Sequence, residues 1–125
     1  MKNTVIGIFT DDYIDRFIYE KVFQKYEHKV EYHVFANPEA GLTFANTNQL
    51  DVVFIEMHFW GENFGGISIL NQLKKITDKS ILAIAMTSLL QQGDLDHILA
   101  SGFSMCFEKP VNLEALELFA ERRNN

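Results

Sequence analysis

The chain has one cysteine, one tryptophan and two prolines among its 125 residues. A lone thiol, Cys106, cannot close an internal disulfide, which fits a reducing compartment, the cytoplasm. It reads as a small buried hydrophobe rather than a reactive group. Positive charge is scarce too: 11 Lys and Arg stand against 17 Asp and Glu, a formal charge of −6. Phosphate backbones are held by clustered Lys and Arg, so nucleic-acid binding through this domain is not expected. A basic protein partner remains compatible with that charge. No apolar run approaches the roughly 20 residues that span a bilayer. The segment ahead of Asp11 is also too short for the core of a signal peptide. Linkers, repeats and low-complexity tracts are missing as well. What remains is 47% apolar and 22% charged, with eleven phenylalanines for the core. That composition predicts one soluble globular domain over residues 1–125.

Hydrophobic patterning divides the chain into alternating strands and helices. Residues 5–9 are apolar and β-branched enough for a buried strand. Asp11 and Asp12 open a helix, and either can cap it. Ile14, Phe17, Ile18 and Val22 follow at helical spacing and are expected to face the sheet. Val30, Tyr32 and Val34 alternate with polar residues, as in a strand with one wet face or at an edge. Asn37-Pro38 reads as an N-cap and first helical position, with Asn46-Thr47-Asn48 ending that helix. Residues 52–55 form a continuous apolar run, which predicts a central strand. After a long loop from Glu56 to Gly66, Ile69, Leu70, Leu73 and Ile76 mark a third helix. Residues 81–86 make the most hydrophobic strand. A weaker helix runs from Gln91 to Ala100, with Leu95, Ile98 and Leu99 on one face, and Gly102 can end it. Residues 105–107 are the last strand, and Asn112 caps a helix through Leu113, Leu116 and Phe119. Five strands alternating with five helices predict an α/β fold, a parallel sheet covered on both faces.

Polar groups gather where these strands end. Asp11-Asp12 ends the first, Glu56 the third, Thr87 the fourth and Lys109-Pro110 the fifth. In a parallel sheet all of them lie along one edge, where open α/β sheets build their sites. With Gly65-Gly66 opening the third helix, this constellation resembles the CheY-like receiver domains of two-component signalling, over essentially the whole chain. The resemblance implies a doubly wound sheet in the order 2-1-3-4-5. It implies a phosphoacceptor site with Glu56 at the acceptor position and Thr87 and Lys109 beside it. Family chemistry is phosphoryl transfer from a histidine kinase, with Mg²⁺ neutralising charge. The metal positions are Asp11, Asp12, Glu56 and the backbone carbonyl of His58. Partners would be a histidine kinase, a phosphotransfer protein or a downstream effector. They would meet the face of the fourth helix, fifth strand and fifth helix, at Gln91, Asp94, His97, Cys106 and Leu113.

Three departures change what the resemblance implies. Glu56 carries one methylene more than the family's aspartate and would enter the space meant for metal and phosphoryl group. About 1 Å of misplacement costs roughly a hundredfold in an in-line reaction. An atypical module is therefore expected, independent of phosphorylation or mimicking it, with Mg²⁺ binding weakened. Glu56 either reaches towards Thr87 or Lys109 and imitates a phosphorylated carboxylate, or pairs with Lys109 and holds the inactive arrangement. Trp60 lies in an unusually aromatic loop, residues 58–64, of the kind that marks contact sites. Cys106 stands where many receivers carry a switching aromatic, and a thiol is too small for that swing.

Other readings are open. Asp11-Asp12 and Thr87 also read as plain caps. A conventional receiver that phosphorylates glutamate would keep the same Lys109, Thr87 and Asp12. A flavodoxin-like cofactor binder needs a Gly- or hydroxyl-rich phosphate loop after the first strand. Here that loop carries Asp11, Asp12 and Asp15, which repel a flavin phosphate. An aspartyl-phosphate hydrolase has two aspartates spaced by one residue there, which adjacent Asp11-Asp12 do not match. His28, His33 and His97 have no metal-ligand spacing. No output domain follows Arg122-Arg123, as in a stand-alone regulator or part of a longer protein.

Overall fold

The computed structural model describes residues 3–62, 64–77, 80–88 and 93–123. Five strands form one sheet: β1 (Thr4–Phe9), β2 (Val30–Phe35), β3 (Val52–Glu56), β4 (Leu82–Thr87) and β5 (Met105–Glu108). All neighbours pair in parallel, in the order β2-β1-β3-β4-β5. The connections carry α1 (Tyr13–Lys25), α2 (Pro38–Thr47), α3 (Gly65–Ile76) and α4 (Asp94–Ala100), and α5 (Leu113–Glu121) follows β5. A single 3₁₀ turn, Phe59–Gly61, precedes α3. This is the expected doubly wound α/β fold. Gln91 lies outside the described residues.

Strand side chains alternate between two buried faces, because a parallel sheet is covered on both. Ile6, Ile8, Val52, Phe54, Ile84 and Met86 pack with Tyr19, Val22 and Phe23 of α1 and Leu116 and Ala120 of α5. Phe9, Val53, Ile55, Ala83 and Ala85 pack instead with Ala45 of α2, Ile69, Leu70 and Leu73 of α3, and Ile98 of α4. Phe54 centres the first cluster, with the rings of Tyr19, Phe119, Phe107 and Phe23 at centroid distances of 5.1 to 6.1 Å.

Helix starts follow the expected caps. Asp12 accepts from the Ile14 and Asp15 amides, Asn37 from Ala40, and Asn112 from Ala115. Gly102 takes φ of +114° after α4, where a side chain would be strained.

Helix phases differ from expectation in three places. In α1, Ile14 and Phe17 are 67% and 57% exposed, and the inward stripe is Asp15, Tyr19, Val22 and Phe23. One residue of offset is about 100° of helix rotation. Two large rings packed around Phe54 and an ion pair at Asp15 outweigh the burial of Ile14 and Phe17. In α4 only Ile98 is buried, and Leu95 and Leu99 are exposed. In α5, Leu116 and Ala120 turn inward while Leu113 is 51% exposed. Both helices flank the short edge strand β5, which offers less surface to cover. No described helix is long and apolar enough to cross a membrane.

Gly41 lets α2 lie directly on β1. A Cβ there would overlap the Phe9 ring and crowd Phe35. Gly41→Ala is expected to lower the unfolding free energy by roughly 1–3 kcal/mol, although alanine is the better helix former. Urea unfolding followed by Trp60 emission checks this.

Candidate functional site around Lys109

Strand register lines up the polar ends. Phe9 lies opposite Ile55, Glu56 opposite Met86, and Thr87 opposite Glu108. Asp11, Asp12, Glu56, Thr87 and Lys109 therefore share one edge of the sheet. The Lys109 backbone N–H donates to the Thr87 carbonyl at 2.8 Å, which fixes where the lysine leaves β5. The Lys109-Pro110 peptide is cis. Gly66 lets α3 begin against the end of β3, since a Cβ there would lie 2.7 Å from the Glu56 carbonyl oxygen.

The Lys109 ammonium sits among three carboxylates. Glu56 Oε1 is at 2.5 Å, Asp15 Oδ2 at 2.7 Å and Asp12 Oδ2 at 3.3 Å. Glu56 and Asp15 are only 6% and 3% exposed. The other oxygen of Glu56 accepts from the His58 amide at 3.3 Å. Asp12 works twice: Oδ1 caps α1, and its own amide donates to Thr10 Oγ1 at 3.0 Å. Tyr19 is fully buried behind this group and its hydroxyl donates to the Met86 sulfur.

Electrostatics follow from burial and pairing. Burial works against the Lys109 charge, but the hydrogen bonds and Coulombic pull of Asp15 and Glu56 outweigh it, and its pKa rises above the ordinary lysine value. Burial raises the Asp15 pKa, with Asp12 and Glu56 adding to the rise and Lys109 opposing it. Burial also acts on Asp12, yet the α1 amides and Lys109 win and its pKa is lowered. Tyr19 is pushed well up by burial, reinforced by Asp15 and Glu56.

The loop after β3 is tied to the same site. Asp11 Oδ2 accepts from the Trp60 amide at 3.0 Å. His58 Nδ1 accepts from the Phe64 amide at 3.2 Å, so a neutral ring carries its proton on Nε2. Trp60 and Phe64 both have φ of +56°, a left-handed conformation uncommon outside glycine, and these two bonds hold it. The Phe64 ring stands edge-on to His58 and to His97 of α4, at 5.3 and 4.9 Å. Trp60 itself is exposed.

The structure brings Asp12, Glu56 and Lys109 together and places Thr87, buried, beside them at the end of β4. Asp11 turns to the Trp60 amide instead. Among the described residues no group of three His, Cys, Asp or Glu side chains is placed to hold a metal ion. The Lys109 ammonium lies at the centre of Asp12, Asp15 and Glu56. Cys106 is half-buried against the α3–α4 side of the core, with its pKa raised by burial and by Glu108. Asp94 and His97 lie on α4, and Leu113 opens α5. Sequence reasoning missed Asp15 and Tyr19 as site residues. The available signal was their spacing with Phe23, at i, i+4 and i+8, a stripe that competes with the more apolar one at Ile14 and Phe17.

Removing one partner from a buried charge group is strongly destabilising. Lys109→Met is expected to cost about 3–5 kcal/mol at neutral pH, because it leaves Asp12, Asp15 and Glu56 facing one another. The sign with pH follows from Asp15. Its folded pKa lies above the unfolded value of 3.8, so acidification protonates the folded state first and relieves the repulsion. The penalty is expected to shrink towards pH 4.5, read by urea unfolding of both proteins at the two pH values.

No family model matches the sequence, and no curated protein does. Solved structures do match. The signal receiver domain of a DNA-binding response regulator from Colwellia psychrerythraea 34H is 26% identical, with 95% of this chain and 96% of that one covered and a TM-score of 0.81. The receiver domain of the Francisella response regulator 1452 is 25% identical, over 95% of this chain and 94% of that one, with a TM-score of 0.75. The Ssk1 receiver domain of Saccharomyces cerevisiae is 23% identical, over 91% of this chain and 83% of that one, with a TM-score of 0.75. From end to end, this chain is similar to the receiver domains of two-component response regulators and has their CheY-like fold.

Proposed function

We propose that the chain is an atypical receiver module that signals through protein–protein contact without phosphoryl transfer to residue 56. The observation that carries this reading is the Glu56–Lys109 pair at the acceptor position. A nucleophilic carboxylate must present a free oxygen in line with phosphorus, and the lysine must be free to receive a phosphoryl oxygen. Here one Glu56 oxygen is bound to the lysine and the other faces the His58 amide. The longer side chain also fills the space between them. Both arrangements open to Glu56, imitation of a phosphorylated carboxylate and the inactive hold, include this contact with Lys109.

The contact surface is the face of α4, β5 and α5, with Asp94, His97, Cys106 and Leu113 on or near it. Leu95, Leu99, Met105, Leu113 and Leu118 are exposed there, more apolar surface than three short elements need. Ssk1 has been solved in complex with the histidine phosphotransfer protein Ypd1, which supports a protein partner for this chain. A kinase, a phosphotransfer protein or an effector all fit that class. Net charge of −6 speaks against nucleic acid as the ligand of this domain, and we place the module in the cytoplasm, as a binding protein and not an enzyme. The three carboxylates of Asp11, Asp12 and Asp15 speak against a flavin phosphate.

The test is exposure of the wild-type protein to acetyl phosphate and Mg²⁺, read by intact mass. The expected result is an unchanged mass. A phosphoryl adduct would overturn the proposal and favour a conventional phosphoacceptor that uses glutamate.

A further inference from the structure

We infer that Asp15 is a second lock on the acceptor site, a positioning residue that withholds Lys109 whatever carboxylate stands at position 56. This rests on the proposed reading of the site as one that does not accept a phosphoryl group, and it adds a cause that Glu56 does not supply.

A lysine ammonium has three N–H donors and no more. Lys109 donates to Asp12 and Glu56 and forms an ion pair with Asp15 at 2.7 Å. Three carboxylates hold its charge, and a phosphoryl oxygen would have to displace one of them. Shortening residue 56 would withdraw only one of the three partners. Asp15 would stay, and its hold is tight for two reasons. Aspartate is almost never fully buried unless paired, and Asp15 is 3% exposed. Among the described residues its only cation is Lys109, and Oδ2 accepts no well-aligned hydrogen bond, so the ion pair alone offsets its burial. The phase of α1 enforces the contact. Tyr19 and Phe23, on the same stripe, are anchored in the aromatic cluster around Phe54, so α1 cannot turn Asp15 outward without unpacking them.

The experiment compares Glu56→Asp with Glu56→Asp/Asp15→Asn, each with acetyl phosphate and Mg²⁺. The chemistry is a balanced phosphoryl transfer. The carboxylate at position 56 attacks phosphorus, the P–O bond to the acetyl group breaks, and acetate leaves with the electron pair. Asparagine keeps the shape of Asp15 and removes its charge. The double variant is expected to gain the adduct on the order of tenfold or more faster than Glu56→Asp, the scale of freeing one positioned donor. The Lys109 ammonium protons, followed by ¹⁵N NMR, are expected to exchange faster in the double variant than in the single one. A merely structural role for Asp15 would not produce that change. Asp15→Ser in the same background is the second variant, and cooperative unfolding confirms that each protein is folded. Equal rates in the single and double variants, including no adduct in either, would overturn the inference. An adduct on wild type would instead overturn the proposed function, so the two failures are distinct.

Discussion

The Lys109 ammonium balances three carboxylates that reach it from three places in the chain. Asp12 comes from the start of α1, Asp15 from its first turn and Glu56 from the end of β3. Each carboxylate brings a structural element with it. Asp12 is also the α1 cap, so the helix start and the ion group share an atom set. Asp15 lies on the inward stripe of α1 with Tyr19 and Phe23. Glu56, through the His58 amide, ties in the loop that leads to α3. Taking two nearly buried carboxylates out of water is costly, and a single ammonium offsets that cost only because all three contacts are close. The group therefore constrains the whole edge of the sheet.

The fold supports that group from below. Strands in parallel register deliver their polar ends to one edge, while their apolar bodies are sealed on both faces by helices. A charge group at the end of such strands sits partly in low dielectric, where it interacts strongly and tolerates no missing partner. Similarity to response-regulator receiver domains over nearly the full length is consistent with this architecture. The three groups that face the site's centre face a lysine, and Asp11 is drawn away to the Trp60 amide.

Much of this was legible in the sequence. The alternation of apolar runs and helical stripes identifies the five strands and five α-helices, because a two-sided sheet requires continuous apolar strands. Asp12, Asn37 and Asn112 mark helix starts, since a side-chain acceptor before an apolar stripe has few other uses. The assembly of Asp12, Glu56, Thr87 and Lys109 follows from their places directly after strands. Helix phase was not legible in α1, α4 or α5. Two overlapping stripes exist in α1, one from Ile14 to Val22 and one from Asp15 to Phe23. Hydrophobicity alone favours the first, and a buried aspartate is penalised until its partner is known. That partner is 94 residues away in sequence, at Lys109.

By itself the sequence determined the fold class, the edge of the sheet where the polar groups gather and a glutamate at the end of the third apolar run. Those features depend on local pattern and on the order of elements, both of which are written along the chain. Tertiary structure decided which carboxylates hold Lys109, that Asp11 is not one of them and that Asp15 is. Such choices depend on the rotation of a helix against rings from other elements and on the reach of one lysine, and no local pattern encodes either.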